Sequence, residues 1–176
     1  MNNLISLASN VTIRAWIGLE NERVWMWHWS RPHQDLDYFN WRAEEPQNNS
    51  RDGCAVLDGR GEWFDSDCTA RRSFICQGKG GTGAYTFVAE AKSWRDAQIH
   101  CRDLASDLVS IHSAEENQAV LRASALQSVW IGLFKDPWKW SDGSLSSFRH
   151  WKPFQPNYLQ DQDCVAAVFR DQGEWN

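Results

Sequence analysis

The chain has 176 residues, of which 42% are hydrophobic and 23% charged, and a formal net charge of −5. That composition can bury a core and is not that of a disordered chain. No Lys/Arg cluster is present to follow a phosphate backbone, which excludes nucleic acid as a partner, and no run of roughly 18 apolar residues is present to span a bilayer. Met1 to Asn10 has neither a cationic start nor a long apolar segment and does not read as a signal peptide.

In chain order, Trp16-Ile17-Gly18-Leu19 and Trp27-His28-Trp29-Ser30 come first, and Phe74-Ile75 reads as a short strand. Gln77 to Ala84 holds four glycines and reads as a flexible linker. Ser93 with Asp96 reads as an N-cap, and Trp94, Ala97, Cys101, Leu104 and Leu108 form one apolar stripe on a helix. After a turn through Ile111, Ser113 with Glu116 makes a capping box for a second helix. Val129 to Leu133 reads as a short strand, Lys135 to Asp163 as a long irregular loop, and Val165 to Phe169 as a buried strand. The expected class is α+β, with two helices followed by short antiparallel strands around a large loop.

The chain repeats itself. Trp16-Ile17-Gly18-Leu19 recurs as Trp130-Ile131-Gly132-Leu133, and Trp27-His28-Trp29-Ser30 as Trp138-Lys139-Trp140-Ser141. Trp41, Pro46 and Cys54 recur as Trp151, Pro156 and Cys164, and Gly61-Glu62-Trp63 as Gly173-Glu174-Trp175. Residues 1–77 therefore read as the C-terminal part of one module, 78–84 as the linker, and 85–176 as the N-terminal and middle part of a second. The Trp count of 12 is a density that needs large buried rings with their indole N–H groups satisfied, which reads as core packing. The five cysteines, Cys54, Cys68, Cys76, Cys101 and Cys164, contain no Cys-x-x-Cys pair, which argues against structural zinc. An odd count leaves a half-cystine without a mate, and the sequons at Asn10 and Asn48 fit a secretory history as glycosylation sites. The five histidines sit in no nucleophile, His-Glu-x-x-His or Gly-x-Ser-x-Gly pattern, so no catalytic residue is assigned and the chain is not expected to be an enzyme.

The helix with Trp94, Ala97 and Cys101, the Ile111-His112-Ser113 turn, both Trp-Ile-Gly-Leu strands, the Trp-x-Trp-Ser step, the proline loops and Trp63 to Cys76 resemble the C-type lectin-like domain. Two copies joined by a short linker resemble the tandem arrays of the mannose receptor family, which includes the phospholipase A2 receptors. The resemblance implies one disulfide, Cys54–Cys68, complete within the chain, and leaves Cys76, Cys101 and Cys164 unpaired by truncation. The expectation is a fragment of a longer extracellular or cell-surface protein, the ectodomain of a secreted receptor or of one membrane-anchored outside this stretch.

The resemblance also implies a calcium and a sugar meeting beside a cis proline. Ca²⁺ takes 6–8 oxygen ligands, with carboxylates supplying the charge. The first copy carries Glu45-Pro46-Gln47, Asp52 and Asp65 at the matching positions, with Phe64 where the family has Asn. The second carries Gln155-Pro156-Asn157, Gln162 and Asn176, neutral throughout, and Gln-Pro-Asn is neither the mannose nor the galactose type. The expected function is a carbohydrate-binding recognition module with both sites degraded and calcium held weakly at best. The alternative is calcium-independent binding of a protein ligand. The partners implied are glycans, glycoproteins or proteins.

Overall fold

Ser93 and Ser113 start the two helices. In the computed structural model, which describes residues 14–47, 53–78, 84–144, 146, 148–153, 155–157 and 162–176, helix α1 spans Trp94–Asp103 and α2 spans Ala114–Ala123. Ser93 Oγ accepts from the Asp96 N–H at 3.2 Å, with Asp96 in the first turn and His100 and Arg102 in the last, which suits the helix dipole. Ser113 Oγ accepts from the Glu116 N–H at 3.2 Å, and the Glu116 carboxylate accepts from the His112 N–H at 2.8 Å.

The expected stripe on α1 stops early. Trp94, Ala97 and Cys101 are buried, but Leu104 is the C-cap and 62% exposed, and Leu108 belongs to a strand. Ala105, with φ 54°, turns the chain out of the helix, as a left-handed residue does at a helix end.

The strands are β1 (Arg14–Trp29), β2 (Gly53–Leu57), β3 (Trp63–Asp67), β4 (Arg72–Gln77), β5 (Tyr85–Lys92), β6 (Asp107–Leu108), β7 (Val129–Trp140), β8 (Cys164–Val168) and β9 (Glu174–Trp175). β7 is longer than the expected strand and takes in Lys135 to Trp140, which had read as loop. Phe134, Lys135, Asp136 and Trp138 are buried, so tertiary packing rather than local alternation extends it.

The chain divides into two compact units that cut across the two sequence copies, within β1 after Trp25 and within β7 after Asp136. Unit 2, Met26–Asp136, takes its C-terminal half from the first copy and its helices from the second. β2 pairs antiparallel with β3 and with β7, where Val56 lies opposite Trp130. β4 pairs antiparallel with β5 and β6 and parallel with β7. Its core joins Trp29, Leu57, Trp63, Ile75, Ile111 and Leu133 on one side of the strands, and Phe74, Trp94, Cys101, Leu108, Trp130 and Phe134 on the other. Unit 1, Met1–Trp25 with Pro137–Asn176, pairs β1 with β8 and β8 with β9 around Leu19, Trp138, Val165, Ala167 and Trp175.

The register shows a reciprocal exchange of the repeated motifs. In unit 1 the first copy's Trp16 lies opposite Ala166, and in unit 2 the second copy's Trp130 lies opposite Val56, the residue equivalent to Ala166. Ser141 N–H donates to Gly18 O at 2.7 Å in the first case, and Ser30 N–H to Gly132 O at 2.6 Å in the second.

Cys54–Cys68 closes the β2–β3 end of unit 2. Cys76 and Cys101, expected to lack partners, form a second disulfide with Cα atoms 5.5 Å apart. The expectation confined each cysteine to its own copy. The β4–β5 hairpin instead joins the end of one copy to the start of the next, with Gln77 opposite Tyr85, and carries α1 and its Cys101 to the end of β4. The ends of a compact module lie close together, so joining them across a short connection is sterically cheap. Cys164, in unit 1, is free and exposed. Of the Gly-rich linker, residues 79–83 lie outside the described residues.

Candidate recognition site

Each unit carries one of the proline loops on a cage of four tryptophans. In unit 2, Trp27 lies 4.9 Å from Trp41, and Trp63 stands edge-on to Trp29 at 5.9 Å and to Trp41 at 5.8 Å. In unit 1, Trp138 lies 5.0 Å from Trp151, and Trp175 stands edge-on to Trp140 and Trp151, both at 5.7 Å. Edge-to-face contact suits the ring quadrupoles, which makes these cages specific supports as well as buried area.

The backbone frames agree as closely. Trp63 N–H donates to Asn40 O at 2.8 Å and Arg42 N–H to Trp63 O at 2.9 Å, while Glu45 N–H closes the turn on Arg42 O at 3.1 Å. The counterparts are Trp175 to His150 at 2.7 Å, Lys152 to Trp175 at 3.0 Å and Gln155 to Lys152 at 3.0 Å. Glu45–Pro46 and Gln155–Pro156 are both cis, as the resemblance implied. In each loop the residue after proline turns its N–H back on the residue before it: Gln47 to Glu45 Oε2 at 3.2 Å, and Asn157 to Gln155 Oε1 at 3.1 Å.

The chemistry on these equal frames differs. In unit 2, Glu45, Gln47 and Asp65 come together: Gln47 N–H also reaches Asp65 Oδ1 at 3.3 Å, and Gln47 Nε2 donates to Glu45 Oε1 at 3.1 Å. Burial works to raise the Glu45 carboxyl. A hydrogen bond shared with the Asp65 carboxyl, and those donated by the Arg42 guanidinium and the backbone of Asp65 and Gln47, outweigh it and hold the group below its ordinary value. Asp52, Asn48 and Asn10 lie outside the described residues. In unit 1, Gln155 and Asn157 share a loop, and Asn176 exchanges backbone hydrogen bonds with Ala166 at 2.9 Å in both directions. Asp163, the nearest described acid in sequence, pairs with Arg23 at 2.6 Å. Among the described residues no three His, Cys, Asp or Glu side chains converge as a metal would need.

Two residues that sequence reasoning passed over matter here. Asn117, on α2, accepts from the Trp63 indole at 2.8 Å and donates to Gly61 O at 2.8 Å, which fixes the tryptophan beneath the unit-2 loop. Arg42 bonds Glu45 at 3.2 Å and lies 4.4 Å above the Phe64 ring. Its signal was present in the repeat, since Arg42 and Lys152 each follow a repeated tryptophan and precede the loop proline by four residues.

The family model of the lectin C-type domain matches residues 2–78 and again 90–176. The chain belongs to the C-type lectin domain family. C-type mannose receptor 2 of Homo sapiens is 31% identical over 198 aligned residues, covering 92% of the chain and 13% of that protein. Lymphocyte antigen 75 of Homo sapiens is 27% identical over 200, covering 91% of the chain and 11% of that protein. Ladderlectin of Oncorhynchus mykiss is 33% identical over 106, covering 54% of the chain and 56% of that protein. This C-type lectin chain thus spans about an eighth of the mannose receptor relative that it matches along nearly all its length. C-type lectin domains are recognition modules and commonly bind Ca²⁺.

Proposed function

We propose that the chain is a recognition segment of an extracellular receptor, and that its two proline loops hold a protein or glycoprotein ligand without calcium. The carrying observation is the donor set. The candidate residues of the unit-1 loop, Gln155 and Asn157, offer only amides, and the acids beside it are paired, Asp163 with Arg23 and Asp171 with Lys152. In the unit-2 loop the Glu45 carboxylate already has a guanidinium partner. Ca²⁺ draws its affinity from charged oxygens left open to it, so these sets do not fit the ion. The frames still present amides and carboxylates on rigid cages, which suits hydrogen bonding to a protein surface. The two disulfides support an extracellular setting. The mannose receptor relatives support a receptor context.

The test is binding of the full chain to an array of secreted proteins, native and deglycosylated, in calcium and in EDTA. Retention in EDTA is expected, with signal on the deglycosylated proteins. Binding confined to mannose- or galactose-bearing probes and abolished by EDTA would reverse the reading. That second reading, calcium-dependent sugar binding, draws on the convergence of Glu45 and Asp65 on one Gln47 N–H.

A further inference from the structure

We infer that Arg42 is the resident cation of the unit-2 loop, taking the charge-neutralising place that a divalent ion would hold and keeping the loop closed without one. This deepens the calcium-independent reading above and rests on it.

Arg42 is fixed at both ends. Its backbone donates to Trp63 and accepts from Glu45, so the residue is built into the turn that leads to cis Pro46. Its guanidinium meets Glu45 Oε1 at 3.2 Å, and the Glu45 side chain is only 4% exposed; the other donors on this acid, the Gln47 N–H at 3.2 Å and Gln47 Nε2 at 3.1 Å, are neutral, so Arg42 brings the positive charge. The same guanidinium lies on the Phe64 ring at 4.4 Å, and Arg72 lies against that ring at 5.4 Å. Phe64 thus supplies a cation–π face where an Asn would supply an oxygen. A guanidinium cannot deprotonate and brings five donors in a fixed fork.

Unit 1 provides the comparison within the same molecule. Lys152 occupies the same backbone frame, but residue 155 is a neutral Gln, and the Lys152 ammonium turns away to Asp171 at 2.5 Å. A cation in this frame pairs with the acid within reach. It covers the loop only where the residue before proline is acidic.

The test is thermolysin cleavage of the loop in the full-length chain, read by mass spectrometry in calcium and in EDTA, for wild type, R42Q, R42K and R42Q/E45Q. Near-UV circular dichroism confirms that each variant is folded. Wild type is expected to be cleaved equally slowly in both buffers, and R42K, which keeps the charge but loses the fork and the ring stacking, at a rate between wild type and R42Q. R42Q is expected to be cleaved about two- to fivefold faster, the range of a half-exposed ion pair, and R42Q/E45Q to return towards the wild-type rate. Wild-type protection that depends on calcium, R42Q indistinguishable from wild type, or R42Q/E45Q as open as R42Q would each overturn the assignment. A chain with a calcium-insensitive loop that captures ligand only in calcium would contradict the proposed function alone.

Discussion

Trp16 and Trp130 open the two copies of one motif, yet Trp16 is 77% exposed and Trp130 is 0% exposed. Trp130 is enclosed by Phe74, Trp94, Cys101, Leu108 and Phe134, and its indole donates to Lys92 O at 3.0 Å. The covering residues come from β4, α1, β6 and β7, all within unit 2.

The pair therefore separates motif from context. Trp130→Ala should destabilise unit 2 by about 3–5 kcal/mol, the range for a buried large side chain. Trp16→Ala should stay within about 0.5 kcal/mol. Guanidinium unfolding followed by circular dichroism measures both, and acrylamide should quench Trp16 far more readily than Trp130.

The glycines of the same motif differ in parallel. A Cβ at Gly132 would stand 2.9 Å from Leu108 O and 3.0 Å from Val109 O, both backbone. One at Gly18 would meet Ser141 Oγ at 2.6 Å, a side chain that can rotate. Gly132→Ala should cost about 1–3 kcal/mol by forcing strands apart, and Gly18→Ala clearly less, in the same unfolding experiment.

Asn117 ties a helix to the recognition loop. Asn117→Ala leaves the buried Trp63 indole without its acceptor, while Gly61 O keeps the Asn40 amide at 2.7 Å, at a cost of about 1–3 kcal/mol. Hydrogen exchange at 62–65 should accelerate, while exchange at the unit-1 counterpart, 174–176, should not change.

Acid should loosen the turn after β3. Asp67 Oδ1 accepts from the Thr69 N–H and hydroxyl, both at 2.8 Å, and the backbone bond first, then the hydroxyl, holds this carboxyl below its ordinary 3.8. A carboxyl depressed in the folded state binds fewer protons than in the unfolded state. Its contribution is therefore complete above the unfolded value and lost as pH falls through the folded one. Thermal melts from about pH 5 to pH 2 should show a shallower loss for Asp67→Asn than for wild type.

Both helices were legible because their signals are local: a serine cap, an acid three residues on, and an apolar stripe. The cis prolines and the repeat were legible from the motif. The length of β1 was not, since Glu20, Asn21, Glu22 and Arg23 carry no strand signal and are held by pairing with distant chain, as in Asn21 N–H to Asp163 O at 2.9 Å. The Cys76–Cys101 bridge was hidden for a related reason. Similarity between copies shows which residues are equivalent, not which copy each will fold with. The place of Arg42 was marked by the repeat, but its role was not, because that role depends on a contact with Glu45 that only the folded turn creates.

The central claim is that one compact module is assembled from the end of the first copy and the start of the second. Non-reducing peptide mapping of the chain folded under oxidising conditions, after native-state alkylation, tests it most directly. The account predicts a Cys76–Cys101 cross-link beside Cys54–Cys68, with Cys164 alone alkylated. Alkylated Cys76 and Cys101, or either of them joined to Cys164, would contradict it.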